Sequence, residues 1–291
     1  MNVSRITWLL AATFTAPSGS IAAETKDVLS AYHGAYIVPT AANPLCPAAG
    51  PSGGVAGLGG MPVVFAEPLQ PTRPGAAFDP NVFSVTVGGE RVVMPVCATL
   101  LPAIDPGERS TVALFGDFGL GGDDIPTSVD VVGPLTTVSG RFLQGVSVDA
   151  VSPIDAPPGL LRAEAFDPAN GVVRTSSLGD GTQGTYCPAA RTTLVVKLTF
   201  SGGVSGEDGR KLGKQAAEAV LLTIIDGAGQ RTVIHPFAIR DQDNDNHLDL
   251  CFGDDAEGAT PVSVGVFSNT LYGPYNVPNP AGAVTVEQAG D

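Results

Sequence analysis

Hydrophobic and polar residues alternate along much of this chain in short runs, as in NVFSVTV at 81–87 and STVALFG at 110–116. Alternation with a period of two buries one face of a β-strand and leaves the other face in water. Glycine and proline interrupt the runs every few residues, which keeps the strands short and joins them by turns. The pattern therefore predicts an all-β protein of antiparallel sheets with short or no helices.

The runs predict two series of strands. The first series comprises residues 61–66, 82–87, 91–99, 110–116 and 127–132. The second series comprises residues 193–200, 218–225, 231–239, 247–252 and 261–267. Two glycines between β-branched runs in TVGGERVVM indicate a hairpin in the first series, and IDGAGQRTVI repeats this signal in the second. Helix-like windows are KLGKQAAEAVL at 211–221 and ETKDVLSAY at 24–32.

The two series look like copies of one unit. LCPAAG at 45–50 matches YCPAAR at 186–191, and ALFGD at 113–117 matches LCFGD at 250–254. Further matches follow in the same order at offsets of 132 to 141 residues, which indicates a duplicated domain. Because no helix of crossover length separates the strands, each unit is expected to form a β-sandwich.

The predicted organisation is a tandem of two sandwiches. The boundaries are 1–22 for a signal peptide, 23–44 for an N-terminal segment, 45–152 for the first sandwich and 153–291 for the second. The residues between the two series read as one strand ending the first unit, a proline-rich crossing and one strand opening the second. A single large sandwich built from both halves is the alternative.

Composition narrows the environment and the partners. The formal net charge is −14, which disfavours nucleic acid and anionic membrane surfaces as partners. Residues 1–22 resemble a secretory signal, with Arg5 as a basic start, ITWLLAATFTA as a short apolar core and small residues at the end. We therefore expect a secreted protein, periplasmic or extracellular, with no membrane span.

Export makes disulfide bonds expected. The four cysteines are Cys46, Cys97, Cys187 and Cys251. They allow three pairings, and the repeat favours one bridge within each unit, Cys46–Cys97 and Cys187–Cys251. In the repeat Cys97 corresponds to Ala238 and Cys251 to Leu114, positions expected to face each other across a hairpin. Pairing across the units is the alternative and would imply one intertwined domain.

An acidic loop, RDQDNDNHLDLCFG at 240–253, lies between two predicted strands. Its expected oxygen ligands are the side chains of Asp241, Asp243, Asp245 and Asp249 and the backbone carbonyl of His247. Hard oxygen ligands in this number suit Ca²⁺. The loop departs from an EF-hand, because Asn246 replaces the turn glycine and Phe252 replaces the bidentate glutamate. A solvated acidic turn is the alternative, and it is disfavoured because the hairpin offers these carboxylates no basic partner but Arg240.

Two resemblances extend this interpretation. The loop resembles the calcium hairpins of FG-GAP (integrin-type propeller) repeats and thrombospondin type 3 repeats, which implies metal binding. The segments VVFAEPL, FSVTVGGE and ALFGDFG resemble those of bacterial immunoglobulin-like domains of surface and secreted proteins. Such domains are mostly spacers, adhesion modules or appendages of larger enzymes, and that likeness implies a structural or binding role.

Candidates for catalysis are weaker. GPSGG at 50–54 places Ser52 in a G-x-S-x-G pattern, but a nucleophile elbow needs a strand before and a helix after the serine. The chain has no H-E-x-x-H motif, which argues against catalytic zinc. Carboxylates for glycoside cleavage would come from Asp117, Asp123 and Asp124 in GDFGLGGDD, a segment equally typical of a solvated glycine-rich loop.

The leading hypothesis is a secreted, calcium-binding, non-enzymatic protein that acts in structure, adhesion or the binding of an unidentified protein or glycan. A first alternative is a calcium-stabilised hydrolase acting on polysaccharide or ester, which would show a cleft with converging carboxylates or a Ser–His pair. A second alternative is a carbohydrate-binding module, which would present Tyr272 and Tyr275 as coplanar, exposed rings.

Overall fold

A computed structural model describes residues 26–33, 58–70, 78–100, 108–119, 125–153, 155–166, 168, 185–241 and 245–288. This part of the chain is nearly all β, which confirms the predicted fold class. The first-half strands are β1 (Val28–His33), β2 (Gly59–Phe65), β3 (Phe83–Val87), β4 (Arg91–Val93), β5 (Cys97–Thr99), β6 (Thr111–Gly116), β7 (Pro126–Val131), β8 (Ser147–Val148) and β9 (Ser152–Pro153).

The second-half strands are β10 (Leu160–Phe166), β11 (Leu194–Phe200), β12 (Val220–Ile225), β13 (Arg231–Ile234), β14 (Ala238–Arg240), β15 (His247–Phe252), β16 (Thr260–Val266) and β17 (Gly282–Gln288). One short helix, α1 (Lys214–Glu218), precedes β12, as the window at 211–221 predicts. Short 3-10 turns lie at Pro80–Val82, Glu207–Gly209 and Asp254–Ala256. Within the described residues, no helix is both long enough and apolar enough to cross a membrane.

The two halves share one order of strand pairing. The first half forms a sheet β5-β6-β2-β1-β9 and a sheet β4-β3-β7-β8. The second half forms two groups of strands, β14-β15-β11-β10 and β13-β12-β16-β17. Strand β17 pairs with both β16 and β10 and so connects the two groups into one sheet. In each half the last strand runs parallel to the first, as β9 does to β1 and β17 to β10.

The halves also share two irregularities of register. The first strand pair of each half shifts at the same place, between Val28 and Ser30 and between Leu160 and Arg162. The pairing of β3 with β7 shifts after Thr86, and that of β12 with β16 shifts after Thr223. Bulges are built features of a sheet, so the two halves share these irregularities as well as the order of strand pairing.

Each half has a core of its own, filled from both of its groups of strands. In the first half Phe65 and Leu114 of one sheet pack with Val85 and Val129 of the other. In the second half the same arrangement is made by Val196, Leu222, Leu250 and Val264. Each of these two clusters draws its members from one half only.

Proline divides two of the predicted strands. The predicted strand 91–99 is β4 followed by β5, and the predicted strand 231–239 is β13 followed by β14. Pro95 and Pro236 lie in the gaps. Because proline has no N–H to donate to a ladder, each run stops there, and the chain then pairs with a different neighbouring strand.

One secondary-structure prediction is wrong. The helix-like window at 24–32 contains β1, whose residues pair with β2. Val28, Ala31 and Tyr32 are buried in that sheet, so pairing with a distant strand overrides local helix propensity. The first sheet therefore includes a strand from the segment 23–44 that the sequence places outside the sandwich.

The disulfide prediction for the second half agrees with the structure, in which Cys187 and Cys251 are bonded with their Cα atoms 5.6 Å apart. Cys97 is also disulfide-bonded, while its predicted partner Cys46 lies outside the described residues. Ala238 faces Cys251 across the hairpin, as expected.

The predicted correspondence between Cys251 and Leu114 is wrong by one residue. Cys97 faces Phe115 across the first-half hairpin, so Phe115 is the equivalent of Cys251. Leu114 instead belongs to the core, like Leu250. A slip of one residue moves every side chain of a strand to the opposite face, and the short match ALFGD to LCFGD did not exclude it.

Candidate functional site

The predicted acidic loop leads directly into a buried contact between the two halves. Strand β15 begins after the loop, and its side chains point alternately to the two faces of the sheet. Leu248 and Leu250 therefore lie in the core. His247 and Asp249 lie on the other face, where they are buried against residues that precede β6. We call the polar residues of this contact the interface cluster: Glu108, Ser110, Lys197, Asp245, His247 and Asp249.

Lys197 is the cation of the cluster, and the loop alone does not reveal it. It lies on β11 directly opposite Asp249 of β15. Its Nζ atom is 2.9 Å from Oδ1 of Asp249 and 3.4 Å from Oε1 of Glu108. Burial by itself would lower the pKa of Lys197, but the neighbouring carboxylates, Asp249 first and then Glu108, raise it well above its ordinary value. Lys197 therefore stays charged and bridges a carboxylate from each half.

A chain of hydrogen bonds crosses the contact through His247. The Oγ atom of Ser110 is 2.9 Å from Nε2 of His247, and Nδ1 of His247 is 3.1 Å from Oδ2 of Asp245. The backbone N–H of His247 donates to Oδ1 of Asp245 over 2.6 Å. Which ring nitrogen donates in these two contacts depends on the tautomer of the imidazole.

These hydrogen bonds join Asp245, His247 and Ser110 in the order of a hydrolase triad, in which an acid orients a histidine that activates a serine. These three residues differ from a working hydrolase triad because they are buried. Ser110 is 8% exposed, Asp245 5% and His247 1%. In this arrangement the three side chains join the first half to the second and leave Ser110 little room for a substrate.

Glu108, Asp245 and His247 also form a group suited to a metal ion. One ligand atom from each side chain lies within 4.8 Å of the ligand atoms of the other two, and all three residues are buried. Two carboxylates and an imidazole are a mixed oxygen and nitrogen donor set. Glu108 comes from the first half and the other two residues from the second.

The structure brings three of the five predicted calcium ligands into the interface cluster. Asp245, His247 and Asp249 are buried, so a solvated turn does not describe this end of the loop. Asp241 is half-buried at the other end of the loop, and Asp243 lies outside the described residues. The expectation that these carboxylates have no basic partner but Arg240 is wrong, because Lys197, from a strand distant in sequence, lies 2.9 Å from Asp249.

A second polar contact joins the halves near β1. The hydroxyl of Tyr32 is 2.8 Å from Oγ of Ser201 and donates to the carbonyl of Pro157 over 2.8 Å. The side chain of Arg162 donates to the carbonyl of Ala66. Burial raises the pKa of Tyr32, so the phenol keeps the proton that it donates.

The remaining candidates do not form a site in the described chain. Asp117 is exposed and lies 3.6 Å from Arg91, while Ser52, Asp123 and Asp124 lie outside the described residues. His235 has its Nδ1 atom 2.9 Å from the carbonyl of Val220. Tyr275 is 55% exposed whereas Tyr272 is half-buried, so the two rings are not equally presented to a sugar.

No protein-family model matches this chain, and no curated protein is significantly similar to it. The fold and the site therefore define the class of protein by themselves. In its described residues it is an all-β protein whose two halves each have a core and meet at a buried, charged cluster next to an acidic loop.

Proposed function

We propose that this protein is a secreted, calcium-binding structural or adhesion protein of two immunoglobulin-like sandwiches, which presents a fixed surface to a protein or glycan partner. In immunoglobulin sandwiches the strands A, B, E and D form one sheet and C, F and G form the other. The order β10-β11-β15-β14 beside β12-β16-β17 supports this assignment for the second half. The order β1-β2-β6-β5 beside β3-β7-β8 supports it for the first.

The observation that carries the proposal is the position of the acidic loop. Residues 241–246 connect β14 to β15, and the end of this loop, with the start of β15, forms the second-half side of the interface cluster. Calcium held by Asp241, Asp243, Asp245, the carbonyl of His247 and Asp249 would cancel the repulsion among these carboxylates. It would thereby order the hairpin and, through His247 and Ser110, the contact between the halves.

Lys197 does not exclude Asp249 from this role. The ammonium contacts Oδ1 of Asp249, and a carboxylate has a second oxygen that can accept a ligand bond. A structural ion next to an inter-unit contact suits a rigid spacer or adhesion module, because partner binding costs less free energy when the surface is already ordered.

Calorimetry and thermal unfolding test the proposal. Chelator-stripped protein should release or absorb heat on titration with Ca²⁺, and a hundredfold excess over the dissociation constant should stabilise it by about 2.7 kcal/mol. Asp243→Ala should abolish both effects, whereas Asp255→Ala, an exposed acid of the same half, should leave them intact. Absence of heat and an unchanged melting temperature in the stripped wild type would remove calcium from the proposal.

A second candidate function is ester or peptide hydrolysis, which the Ser110–His247–Asp245 hydrogen-bond chain favours. Because the three residues are buried, substrate would reach Ser110 only if neighbouring residues move aside while the hydrogen bond between Ser110 and His247 is kept. A fluorophosphonate probe should then label the wild type and fail to label Ser110→Ala, while Ser139→Ala, which alters another hydrogen-bonded serine, should label normally. If the folded wild type is not labelled, this candidate is wrong.

A further inference from the structure

We propose that Glu108, Asp245 and His247 form a second cation site, which takes a divalent transition metal such as Zn²⁺ and bridges the two halves. Calcium prefers oxygen ligands alone. Zn²⁺ is bound by imidazole nitrogen and carboxylate oxygen together. The presence of the His247 ring within the group therefore distinguishes this site from the predicted calcium loop.

The charges in the cluster favour an added cation. Glu108, Asp245 and Asp249 are buried carboxylates, and Lys197 is the buried ammonium that contacts two of them. Arg109, next to Glu108 in the chain, is buried as well. Charges taken out of water are costly unless they are balanced, and a cation among these carboxylates would add to the balance that Lys197 provides.

The geometry of His247 gives the cation a place. If Nε2 donates its proton to Oγ of Ser110 at 2.9 Å, then Nδ1 and Oδ2 of Asp245, at 3.1 Å, are two acceptors that face each other. Such a pair needs a positive charge between it, either a proton or a metal ion. A hydroxyl that holds the other ring nitrogen is the outer-shell contact that orients metal-ligating histidines.

Glu108 can complete the group from the opposite half. A carboxylate oxygen of Glu108 lies within 4.8 Å of the ligand atoms of Asp245 and His247, and the Lys197 ammonium, 3.4 Å from Oε1, restrains the side chain there. Because the ligands come from both halves, the bound ion would bridge them directly. The site shares Asp245 and, through its backbone carbonyl, His247 with the proposed calcium loop, so it is tested with Asp243 and Glu108, which belong to one site each.

The test is a titration of the full chain, stripped of metal and then saturated with Ca²⁺, with Co²⁺ as a spectroscopic substitute for Zn²⁺. We expect one Co²⁺ per chain with visible absorption bands, displaced by one equivalent of Zn²⁺. Glu108→Gln and His247→Gln should each lower the affinity at least tenfold, and Ser110→Ala should lower it by about 10- to 100-fold through the loss of ring orientation. His235→Gln, at an exposed histidine, should have no effect.

The failures of the two proposals are distinguishable. Asp243→Ala should lose Ca²⁺ binding and keep Co²⁺ binding, and Glu108→Gln should do the reverse. If Glu108→Gln or His247→Gln fails to fold, the wild-type stoichiometry and Ser110→Ala still decide the question. A folded wild type that binds no stoichiometric Co²⁺, or that loses it equally with His235→Gln, overturns the proposed site.

Discussion

The outer faces of the two halves share the same strand pairing but differ in their side chains, which are uncharged in the first half and charged in the second. In the first half Pro62 faces Ala113 between β2 and β6. At the equivalent place in the second half Lys197 faces Asp249 between β11 and β15. The strand pairing needs no charge there, since the first half forms it without one. We therefore attribute the ion pair of the second half to the contact that this face makes with Glu108 of the first half and with the acidic loop.

The largest expected effect follows from removing the cation. Lys197→Met should destabilise the protein by about 3–5 kcal/mol, because Asp249 and Glu108 would be left as buried carboxylates without their ammonium. Urea denaturation measures this loss, and Lys214→Met, at an exposed lysine, should change the unfolding free energy by less than about 0.5 kcal/mol.

Making the second half resemble the first should recover part of this loss. Adding Asp249→Ala and Glu108→Gln to Lys197→Met removes the stranded carboxylates, and coupled residues of this kind are not additive. If Lys197→Met alone is as stable as the wild type, the ion pairs do not matter to folding.

The disulfide comes next. Cys251 occupies the position that Phe115 holds in the first half, and it closes a loop between residues 64 apart in sequence. Replacing Cys187 and Cys251 together by alanine should cost about 2–4 kcal/mol, because the unfolded chain regains loop entropy. Thermal unfolding under oxidising and reducing conditions measures it. The double variant should no longer respond to reductant at this bridge, and a wild-type melting temperature would contradict the prediction.

A smaller effect is expected at the second contact between the halves. Tyr32→Phe removes a hydroxyl whose contacts are Ser201 and Pro157, and should cost about 1 kcal/mol. Tyr275→Phe, at an exposed ring, is the matched control and should be neutral. Equal stability of the two variants in urea would show that the Tyr32 hydrogen bonds contribute nothing net.

The smallest effect is a pH dependence confined to the first half, where His33 stands at the position of Ala165. Burial lowers the pKa of His33, and the Gly119 carbonyl only partly opposes this. The native state therefore binds fewer protons than the unfolded chain, whose histidines titrate near pH 6.5. The stability from this residue is complete above about pH 6.5 and is lost as the pH falls towards the folded pKa.

Melting temperatures of the wild type and His33→Gln across about pH 5 to 8 measure this dependence. The difference between the two curves should change in the acidic part of the range, with the wild type losing more stability there. Parallel curves would contradict the stated direction of the His33 pKa shift.

Much of the second half can be predicted from local pattern, and its site cannot. The alternation HLDLCF places Leu248 and Leu250 in the core, as β15 does. Lys197 is the single charged residue in the apolar run LVVKLTF, which indicates a charged partner on the outer face of the strand. The strand's own sequence does not identify that partner. The slip between Leu114 and Phe115 has the same origin, because a short match does not determine which face a strand presents.

The sequence by itself determined the all-β class and most of the strands, and it favoured the within-unit bridge of Cys187 and Cys251. These follow from period-two alternation, backbone chemistry and a repeat, all of which are local or internal to the chain. Only the tertiary structure decided that Ser110 meets His247 across 137 positions of sequence and that Lys197 joins Asp249 to Glu108. Such contacts depend on strand register and on how the halves pack, and neither is encoded in any single stretch of residues.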